Sequence, residues 1–244
     1  MLRSAWLALN LLIATIVIGP LTIGGALVRA RGDFFHWCAR TWSGWLLRAN
    51  GTRVDVIGIE NVAPDRPQVI AANHVSWFDV LAIATTLPKR FRFVAKEELG
   101  RVPIFGAAWK AAGHIAVDRR DTQAAITALR EAGRLMHADN SALVIFPEGT
   151  RSPDGELLPF KKGAFMLALA AGTEIVPAAV SGTRRMLPKG GWRVRGGRIT
   201  LRFGPPIQPR DYGEGSRDAL IEAVRGEIAS MLVQDAAARG RPTN

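Results

Sequence analysis

The sequence predicts an α/β domain, with a layered mixed sheet flanked by helices, which follows an N-terminal membrane-associated helical segment. Three observations support this prediction: an uncharged stretch near the N-terminus, short apolar runs that alternate with helical patterns from residue 54 onward, and a single cysteine among 244 residues. The alternation of strand and helix patterns is typical of layered α/β domains. The lone Cys38 excludes an intramolecular disulfide framework and a multi-thiolate metal site, so an ordinary apolar core must stabilise the domain.

Residues 4–28 form the uncharged stretch. As a helix it would be about 37 Å long, whereas the hydrocarbon core of a bilayer is about 30 Å thick. A secretory signal has a shorter apolar stretch and a small-residue cleavage site, which is not found here, and few buried core helices of this length lack a charge. We therefore expect a membrane segment, which Gly-Pro at 19–20 and Gly-Gly at 24–25 interrupt with a kink or a hairpin.

A second, amphipathic helix is predicted to start at Gly32-Asp33, with Asp33 as its N-cap. Apolar side chains then recur along one face at Phe34, Cys38, Trp42 and Trp45. Arginines are interspersed with these residues, and a bilayer interface selects this combination of tryptophan and arginine. The alternative is that the stripe packs on the following domain. Arginines at 29 and 31 favour a cytoplasmic position for that domain, at the cell membrane.

We divide the chain accordingly into membrane-associated helices (residues 1–50), the α/β domain (51–236) and a frayed tail (237–244). The strands predicted within the domain cover residues 54–59, 68–72, 91–95, 115–117, 142–146, 175–180 and 199–203. The predicted helices cover residues 76–85, 122–137, 163–171 and 216–233, and in the last of them the apolar residues recur at helical spacing.

The charge of the chain is strongly positive, with 32 lysines and arginines against 21 acidic residues and a net charge of +11. The excess lies in residues 29–50, with four arginines and one aspartate, and in residues 175–210, with eight basic residues and no acidic one. Such patches predict an anionic partner, although a solvated composition bias has the same signature. Because no helix-turn-helix, RNA-recognition or finger signature accompanies them, we do not expect nucleic acid as that partner.

The first segment with catalytic potential is Asn-His-Val-Ser-Trp-Phe-Asp at residues 73–79, which follows a predicted strand and opens a helix. A histidine at such a junction lies at the carboxyl edge of the sheet, where α/β proteins bind ligands. The Asp79 carboxylate can accept a hydrogen bond from the Nδ1–H of His74, which leaves Nε2 free as a general base. Alternatively, Ser76 and Asp79 form a capping box and His74 is a structural, hydrogen-bonded histidine.

The second segment is Phe-Pro-Glu-Gly-Thr-Arg-Ser at residues 146–152, directly after a predicted strand. Gly149 allows the backbone to turn there, and exposed N–H groups in such a turn can meet an anion. Arg151 offers a planar guanidinium fork that suits a phosphate. The alternative is an ordinary polar turn.

The third segment supplies two further cations. Lys96 and Arg119 each follow an apolar run, so both are expected at the sheet edge. Solvated surface side chains are the alternative for both.

These segments together resemble the glycerolipid acyltransferase family. The resemblance rests on N-H-x-x-x-x-D at residues 73–79, K-x-E-L at 96–99, G-x-I-x-V-D-R at 113–119, F-P-E-G-T-R-S at 146–152 and an apolar run with proline at 175–180, in this order and spacing. It covers roughly residues 50–210. Val75 and Ala116 stand where many members carry glutamine and an aromatic residue, and these two departures concern substrate choice rather than reaction type.

The resemblance implies that an acyl chain is transferred from an acyl thioester to the free sn-2 hydroxyl of 1-acyl-glycerol-3-phosphate, which gives phosphatidic acid. It implies that His74 takes the hydroxyl proton and that Asp79 orients His74. It further implies that Lys96, Arg119 and Arg151 hold the acceptor phosphate and that Glu148, Gly149 and Thr150 shape the acceptor pocket, with a backbone N–H at Gly149 or Thr150. The partners implied are the lipid bilayer, a lysophospholipid acceptor and acyl-CoA or acyl carrier protein as co-substrate.

We expect no cofactor, no metal and no covalent acyl-enzyme. The sequence has no cluster of metal-ligating residues and no G-x-S-x-G elbow that would hold a nucleophile. Other functions are a different acceptor, such as a lyso-ornithine lipid or another lysophospholipid, a membrane-anchored protein that binds an anionic ligand, and a hydrolase that uses the His–Asp pair with water.

Overall fold

The computed structural model describes residues 1–30, 32–117, 122–163, 165–166, 168, 172–212 and 217–240. Within these residues a seven-stranded sheet forms the centre of the protein. Its strands are Arg53–Ile57 (β1), Gln68–Ala72 (β2), Phe91–Lys96 (β3), Ile115–Val117 (β4), Ala142–Ile145 (β5), Ile175–Ser181 (β6) and Arg198–Phe203 (β7). All seven predicted strands are present, with bounds shifted by at most two residues.

The order of the strands across the sheet is β1-β7-β6-β2-β5-β3-β4. Neighbouring strands from β6 to β4 are parallel, β7 runs antiparallel to β6, and β1 is parallel to β7. The predicted mixed sheet is therefore confirmed. Because β2, β5, β3 and β4 point the same way, their carboxyl ends meet at one edge, which is where open α/β sheets bind ligands.

The helices are Leu2–Leu27 (α1), Gly32–Ala49 (α2), Trp77–Thr86 (α3), Phe105–Ala111 (α4), Thr122–Ala138 (α5), Thr183–Met186 (α6) and Arg217–Gly240 (α7). On one side of the sheet, which we call the α3 face, side chains of α2 and α3 pack on Ile70 and Ala72. On the other side, the α7 face, side chains of α5 and α7 pack on Val69 and Ala71. Alternate residues of β2 thus face opposite layers, and all five of its residues are buried.

The N-terminal apolar stretch forms one continuous helix, α1, with Pro20 inside it. Of the two alternatives, kink or hairpin, the hairpin is therefore wrong. The glycines serve close packing instead: a methyl group at Gly19 would lie 2.4 Å from Ile104 Cγ2, and one at Gly25 would lie 2.3 Å from the ring of Phe34. Within the described residues α1 is the helix long and apolar enough to cross a membrane, and the side turned away from the protein exposes large apolar side chains.

The stripe on α2 packs inside the protein, which was the alternative to a membrane-interface position. Cys38 is buried, Trp42 Nε1 donates to Thr15 Oγ1 at 3.2 Å and Trp45 Nε1 donates to Asn10 Oδ1 at 2.9 Å. The N-cap prediction for Asp33 is also wrong, because this residue lies within the first turn of α2. There its carboxylate accepts two hydrogen bonds from the Arg90 guanidinium, at 2.8 and 3.0 Å.

Some helices differ from the predictions, both at the end of the chain and in its middle. The helix α7 continues to Gly240, so residues 237–240 are helical rather than frayed. Its last turns are held to the sheet because the buried Asp235 accepts hydrogen bonds from Ser181 of β6 and Arg202 of β7. The short helix α4, which no helical periodicity predicts, is fixed by tertiary contacts such as the stacking of Trp109 on Phe93. Of the predicted helix 163–171, the described residues 163, 165, 166 and 168 are helical.

Candidate active site

The site begins where β2 ends and α3 starts. The side chain of Asn73 continues the pairing of β2 with β6, because it donates to the Val180 carbonyl at 3.0 Å and accepts from the Val180 N–H at 2.7 Å. Ser76 is the N-cap of α3 and accepts from the Phe78 N–H. His74 therefore lies between a fixed strand end and a capped helix start, at the carboxyl edge of the sheet.

The His74 imidazole is held by Asp79, as the sequence predicts. Nδ1 of His74 lies 2.9 Å from Oδ2 of Asp79, and the same oxygen accepts from the N–H groups of Val75 and Ser76 at 2.7 and 2.8 Å. The capping box is also present, so Asp79 caps α3 and orients the imidazole with one carboxylate. A carboxylate can only accept, which assigns the proton to Nδ1 and leaves the lone pair on Nε2.

The face of the His74 ring is packed while the ring keeps some contact with solvent. It stacks on Phe146 with ring centroids 4.0 Å apart and an interplanar angle of 19°. The side chain is 14% exposed, and Nε2 makes no hydrogen bond to any described residue. A histidine with an oriented Nδ1–H, a packed ring and an open Nε2 has the arrangement required of a general base.

The turn after β5 holds the backbone of His74. Glu148 is buried, and its carboxylate accepts from the His74 N–H at 2.6 Å and from the Leu158 N–H at 3.0 Å. The Ser152 N–H donates to the His74 carbonyl at 2.8 Å. Glu148 thus uses both carboxylate oxygens to fix the backbone around His74. Its contribution to an acceptor pocket stays a prediction.

The glycine in this turn has a conformational role. Gly149 has a φ of +72°, and its N–H donates to the Phe146 carbonyl at 2.9 Å. Backbone N–H groups of Gly149 or Thr150 are expected to meet the acceptor. The Gly149 N–H is already used in this hydrogen bond, which closes the turn. Thr150 is exposed, and its hydroxyl accepts from Lys189 Nζ at 3.2 Å.

Burial raises the pKa of Glu148 from its ordinary value of 4.5 to about 7, and the hydrogen bonds from His74 and Leu158 only partly oppose this shift. The pKa is higher in the folded than in the unfolded chain, so the stability contributed by protonated Glu148 is complete below pH 4.5 and is lost as the pH rises through 7. We expect the unfolding free energy of the wild-type protein to fall over this range, by at most about 1.4 kcal/mol per pH unit from this group.

Denaturant unfolding in detergent at several pH values measures this effect. In the variant Glu148→Gln, the unfolding free energy should fall less steeply with pH than in the wild-type protein, because the contribution of Glu148 is lost. The control Glu156→Gln, at an exposed position, should show the same pH dependence as the wild-type protein. If the unfolding free energies of the wild-type protein and Glu148→Gln change equally with pH, the carboxyl group of residue 148 does not titrate in this range.

Three cations surround the turn. The guanidinium of Arg151 lies over the ring of Trp77, 5.1 Å from its centroid. Partial burial lowers the pKa of Arg151, and the charge of Asp79 opposes this shift, which places the guanidinium within electrostatic reach of the His–Asp pair. Lys189 contacts Thr150, and the side chain of Lys161 lies against Gly149, where a methyl group would be 2.8 Å from Lys161 Cε.

Lys161 and Lys189 also belong to this site, although the sequence does not predict either of them there. Lys189 belongs to the basic stretch 175–210, which the sequence shows. Its contact with Thr150 is formed only in the fold. No sequence pattern marks Lys161. Its approach to the turn depends on the hydrogen bond that its own N–H donates to the Pro147 carbonyl, a contact formed only in the fold.

Lys96 ends β3 at the same edge and is exposed. Phe93 of β3 pairs with Val144 of β5, so three residues further along both strands Lys96 lies beside Pro147. Because β5 separates β3 from β2, Lys96 is about 10 Å from the line of β2. Arg119, expected at the end of β4, lies outside the described residues.

Several known proteins that are similar to this chain are acyltransferases. A profile of the family described as Acyltransferase matches residues 53–181. A 1-acyl-sn-glycerol-3-phosphate acyltransferase of Chlamydomonas reinhardtii is 32% identical over 237 residues, which is 95% of this chain and 70% of the algal protein. The human 1-acyl-sn-glycerol-3-phosphate acyltransferase alpha is 35% identical over 182 residues, which is 75% of this chain. The chain spans 53% of the length of the Cocos nucifera relative and 64% of the human one.

A solved structure is similar over the whole chain. The crystal structure of PlsC from Thermotoga maritima, described as a 1-acyl-sn-glycerophosphate (LPA) acyltransferase, matches with a TM-score of 0.82 and 26% identity. The match covers 100% of this chain and 99% of the Thermotoga chain, so it includes α1 and α2 as well as the sheet.

Proposed function

Because the chain belongs to the acyltransferase family, we propose that it transfers an acyl chain from an acyl thioester to the free sn-2 hydroxyl of 1-acyl-glycerol-3-phosphate, giving phosphatidic acid. The observation that supports this most is the His74–Asp79 contact of 2.9 Å beside the cationic turn that carries Arg151. A base and a cation close together suit an acceptor whose reacting hydroxyl lies a few bonds from a phosphate. The acyl thioester is the only co-substrate that this chemistry requires.

In the proposed mechanism Nε2 of His74 takes the proton from the sn-2 hydroxyl as its oxygen attacks the thioester carbonyl. The tetrahedral intermediate then expels the thiolate, which receives the proton from the His74 imidazolium. Asp79 stabilises the imidazolium that forms between these two steps and keeps Nε2 directed to the substrate. The ring contact with Phe146 limits the rotation of the imidazole, so the base stays oriented without rearrangement.

We assign the acceptor phosphate to the cations around the 146–152 turn. We take Arg151 as the principal group, because its guanidinium lies over Trp77 at the start of α3 and the charge of Asp79 acts on its pKa. Lys161 and Lys189 flank the same turn, and Lys96 and Arg119 follow the two strands beyond it. A guanidinium binds a phosphate with two parallel hydrogen bonds, which would fix the distance from the phosphate to the attacked hydroxyl.

Replacement of Arg151 by alanine should raise the KM for lysophosphatidate by about 10-fold or more, with a smaller effect on kcat, because a charge-assisted contact to the acceptor is lost. Arg193→Ala is the matched control, since Arg193 also lies over a tryptophan ring, that of Trp192 at 5.0 Å, but outside this turn. Steady-state kinetics with varied acceptor measure the effect. An unchanged acceptor KM in Arg151→Ala would remove Arg151 from the phosphate site.

We also propose that the protein acts at the cytoplasmic surface of the cell membrane. The exposed apolar side of α1 supports membrane contact, and the arginines at 29 and 31 favour the cytoplasmic side. The buried side of α1 packs on α2, from Asn10, which accepts from Trp45, to Gly25 beside Phe34. Such a helix can enter one leaflet lengthwise while it stays attached to the domain. Protease accessibility in sealed inverted and right-side-out vesicles distinguishes the two sides.

The direct test is an assay of the purified protein with lysophosphatidate and either acyl-CoA or acyl carrier protein as donor, with the lipid products separated and identified. We expect phosphatidic acid to form. Release of free fatty acid without an acylated lipid would indicate a hydrolase instead. Acylation of a lyso-ornithine lipid in place of lysophosphatidate would change the acceptor while retaining the reaction type.

A further inference from the structure

A cavity of about 340 Å³ at the carboxyl edge of the sheet adjoins the segment that carries His74. Three arginines line it, Arg184 and Arg185 on α6 and Arg239 in the last turn of α7. Asn73 and Val75, the chain neighbours of His74, line it as well. The cavity lies apart from the acceptor cations around the 146–152 turn, which do not contribute to its walls.

The positive charge of the three arginines exceeds the acidic charge of the described residues that act on them, which is Asp154 near Arg184 and Asp235 near Arg239. Within the described part of the chain, none of the three arginines forms an ion pair, and Arg184 donates only to the Pro153 carbonyl, at 3.3 Å. The Asp235 carboxylate near Arg239 is buried and already accepts from Arg202 at 2.8 Å and Ser181 at 2.9 Å. Guanidinium groups that form no ion pair can donate to an anion with several oxygen atoms, and a phosphate fits this description.

Two glycines in turns lie next to these arginines. Gly155 and Gly182 have φ values of +100° and +97°, in the left-handed region. A methyl group at Gly155 would lie 3.0 Å from Arg184 Cδ, and one at Gly182 would lie 3.4 Å from Arg239 Nη1. The turn at Gly155 therefore fits closely against Arg184, whereas glycine at 182 is required by the Arg198 carbonyl oxygen, which a methyl group there would approach to 2.4 Å.

The position of the cavity relative to His74 restricts which phosphate it can hold. Arg239 lies at the end of α7, which covers the α7 face of the sheet, whereas His74 stacks on Phe146, which packs on the α3 face. The cavity wall reaches from α7 across the end of β6 to Val180, which belongs to the core on the α3 face. The phosphate of the acceptor is only a few bonds from the attacked hydroxyl, so it must lie on the His74 side. The phosphates of the donor are joined to the thioester by the long pantetheine arm, which can cross the edge of the sheet.

We propose that this cavity binds the phosphate groups of the carrier that delivers the acyl thioester. The chemistry is shared by two carriers, since the phosphopantetheine phosphate occurs in both coenzyme A and acyl carrier protein, and coenzyme A adds its nucleotide phosphates. The inference rests on the proposed function, because an acyl-transfer reaction is what brings a thioester to His74. Arg184, Arg185 and Arg239 are then donor-binding residues, distinct from the acceptor cations around Arg151.

The test uses the full chain in detergent and the double variant Arg185→Gln/Arg239→Gln. Its KM for acyl-CoA should rise about 10–100-fold, with kcat changed by less than about threefold and the acceptor KM unchanged, because charge-assisted contacts to the donor alone are lost. Acyl-pantetheine, which has no phosphate, should serve the wild-type protein and the double variant equally. Arg130→Gln, at an exposed position on α5, is the control for loss of charge. If the double variant does not fold, Arg185→Gln alone gives the same comparison at an exposed side chain.

Two competitive inhibitors separate the sources of the phosphate. Inhibition by 4′-phosphopantetheine that is lost in the double variant assigns the cavity to the arm shared by both carriers. Inhibition by adenosine 3′,5′-bisphosphate that is lost in the variant assigns it to the nucleotide of coenzyme A. An unchanged donor KM, or a rise confined to the acceptor KM, would overturn the inference. Failure of the wild-type protein to transfer an acyl chain from any donor would instead refute the proposed function. Isothermal titration of the wild-type protein and the double variant with coenzyme A tests binding in the cavity without turnover.

Discussion

Replacement of His74 by alanine should lower the rate of acyl transfer by about 10²–10⁴-fold, the usual contribution of a general base. The fold should persist, because the contacts that place residue 74 are made by its backbone: its N–H donates to Glu148 and its carbonyl accepts from Ser152. Asp79 also keeps its two backbone donors, Val75 and Ser76, when the imidazole is removed. The expected result is a stable protein that binds its substrates and does not turn them over.

The matched control for this variant is His137→Ala, which removes an exposed imidazole on α5 that contacts Thr173. Single-turnover rates measure the loss at His74, and circular dichroism with thermal unfolding checks the fold. Wild-type turnover in His74→Ala would show that another group takes the hydroxyl proton.

The substitution Asp79→Asn should reduce kcat by about 10²–10⁴-fold, with much smaller changes in either KM. Oδ2 of Asp79 accepts from His74, Val75 and Ser76, while Oδ1 is buried without a hydrogen-bond partner among the described residues. An asparagine that keeps its oxygen toward these donors must bury an unpaired NH₂ group, which costs about 1–3 kcal/mol of stability. An asparagine that turns its NH₂ toward Nδ1 selects the wrong tautomer of the imidazole. In both orientations the negative charge that stabilises the imidazolium is lost.

Asp55→Asn is the matched control, since Asp55 pairs with Arg198 at the surface, 2.8 Å away, in a contact expected to contribute little to stability. A purely structural role for Asp79 predicts that the loss of activity follows the loss of folded protein. A role in positioning predicts a fall in kcat for protein that is fully folded. Retention of normal kcat in folded Asp79→Asn would remove this residue from the mechanism.

The sequence predicts the sheet well because its strands are short, apolar and bounded by turns. β2 and β4 are found with the predicted bounds, and the carboxyl ends of β2 and β5 bring residues 74 and 151 to one edge as expected. Helix ends and short helices are predicted less well, because long-range contacts decide them. The ion pair of Asp235 with Arg202 extends α7, and the stacking of Trp109 fixes α4.

The packing of α2 is another feature that the sequence predicts only in part. An apolar stripe on an amphipathic helix indicates that one face is covered, but it does not say by what. Here α1 covers part of the stripe, through Thr15 and Asn10, so α2 packs against α1 and the exposed apolar side chains lie mainly on α1. In the site, the pairing of His74 with Asp79 follows from a spacing of five residues, whereas the role of Glu148 depends on contacts with residues 74 and 158 that only the fold brings together.

The peptide unit of His74 is fixed from both sides by the turn after β5, through Glu148 on its N–H and Ser152 on its carbonyl. These two attachments involve no atom of the Arg151 side chain. The protein can therefore exchange that side chain, in evolution or by engineering, without moving the imidazole. If Arg151 and His74 have the roles proposed above, selectivity for the headgroup and proton transfer are separable, and the acceptor can be changed by substitution at residue 151 alone.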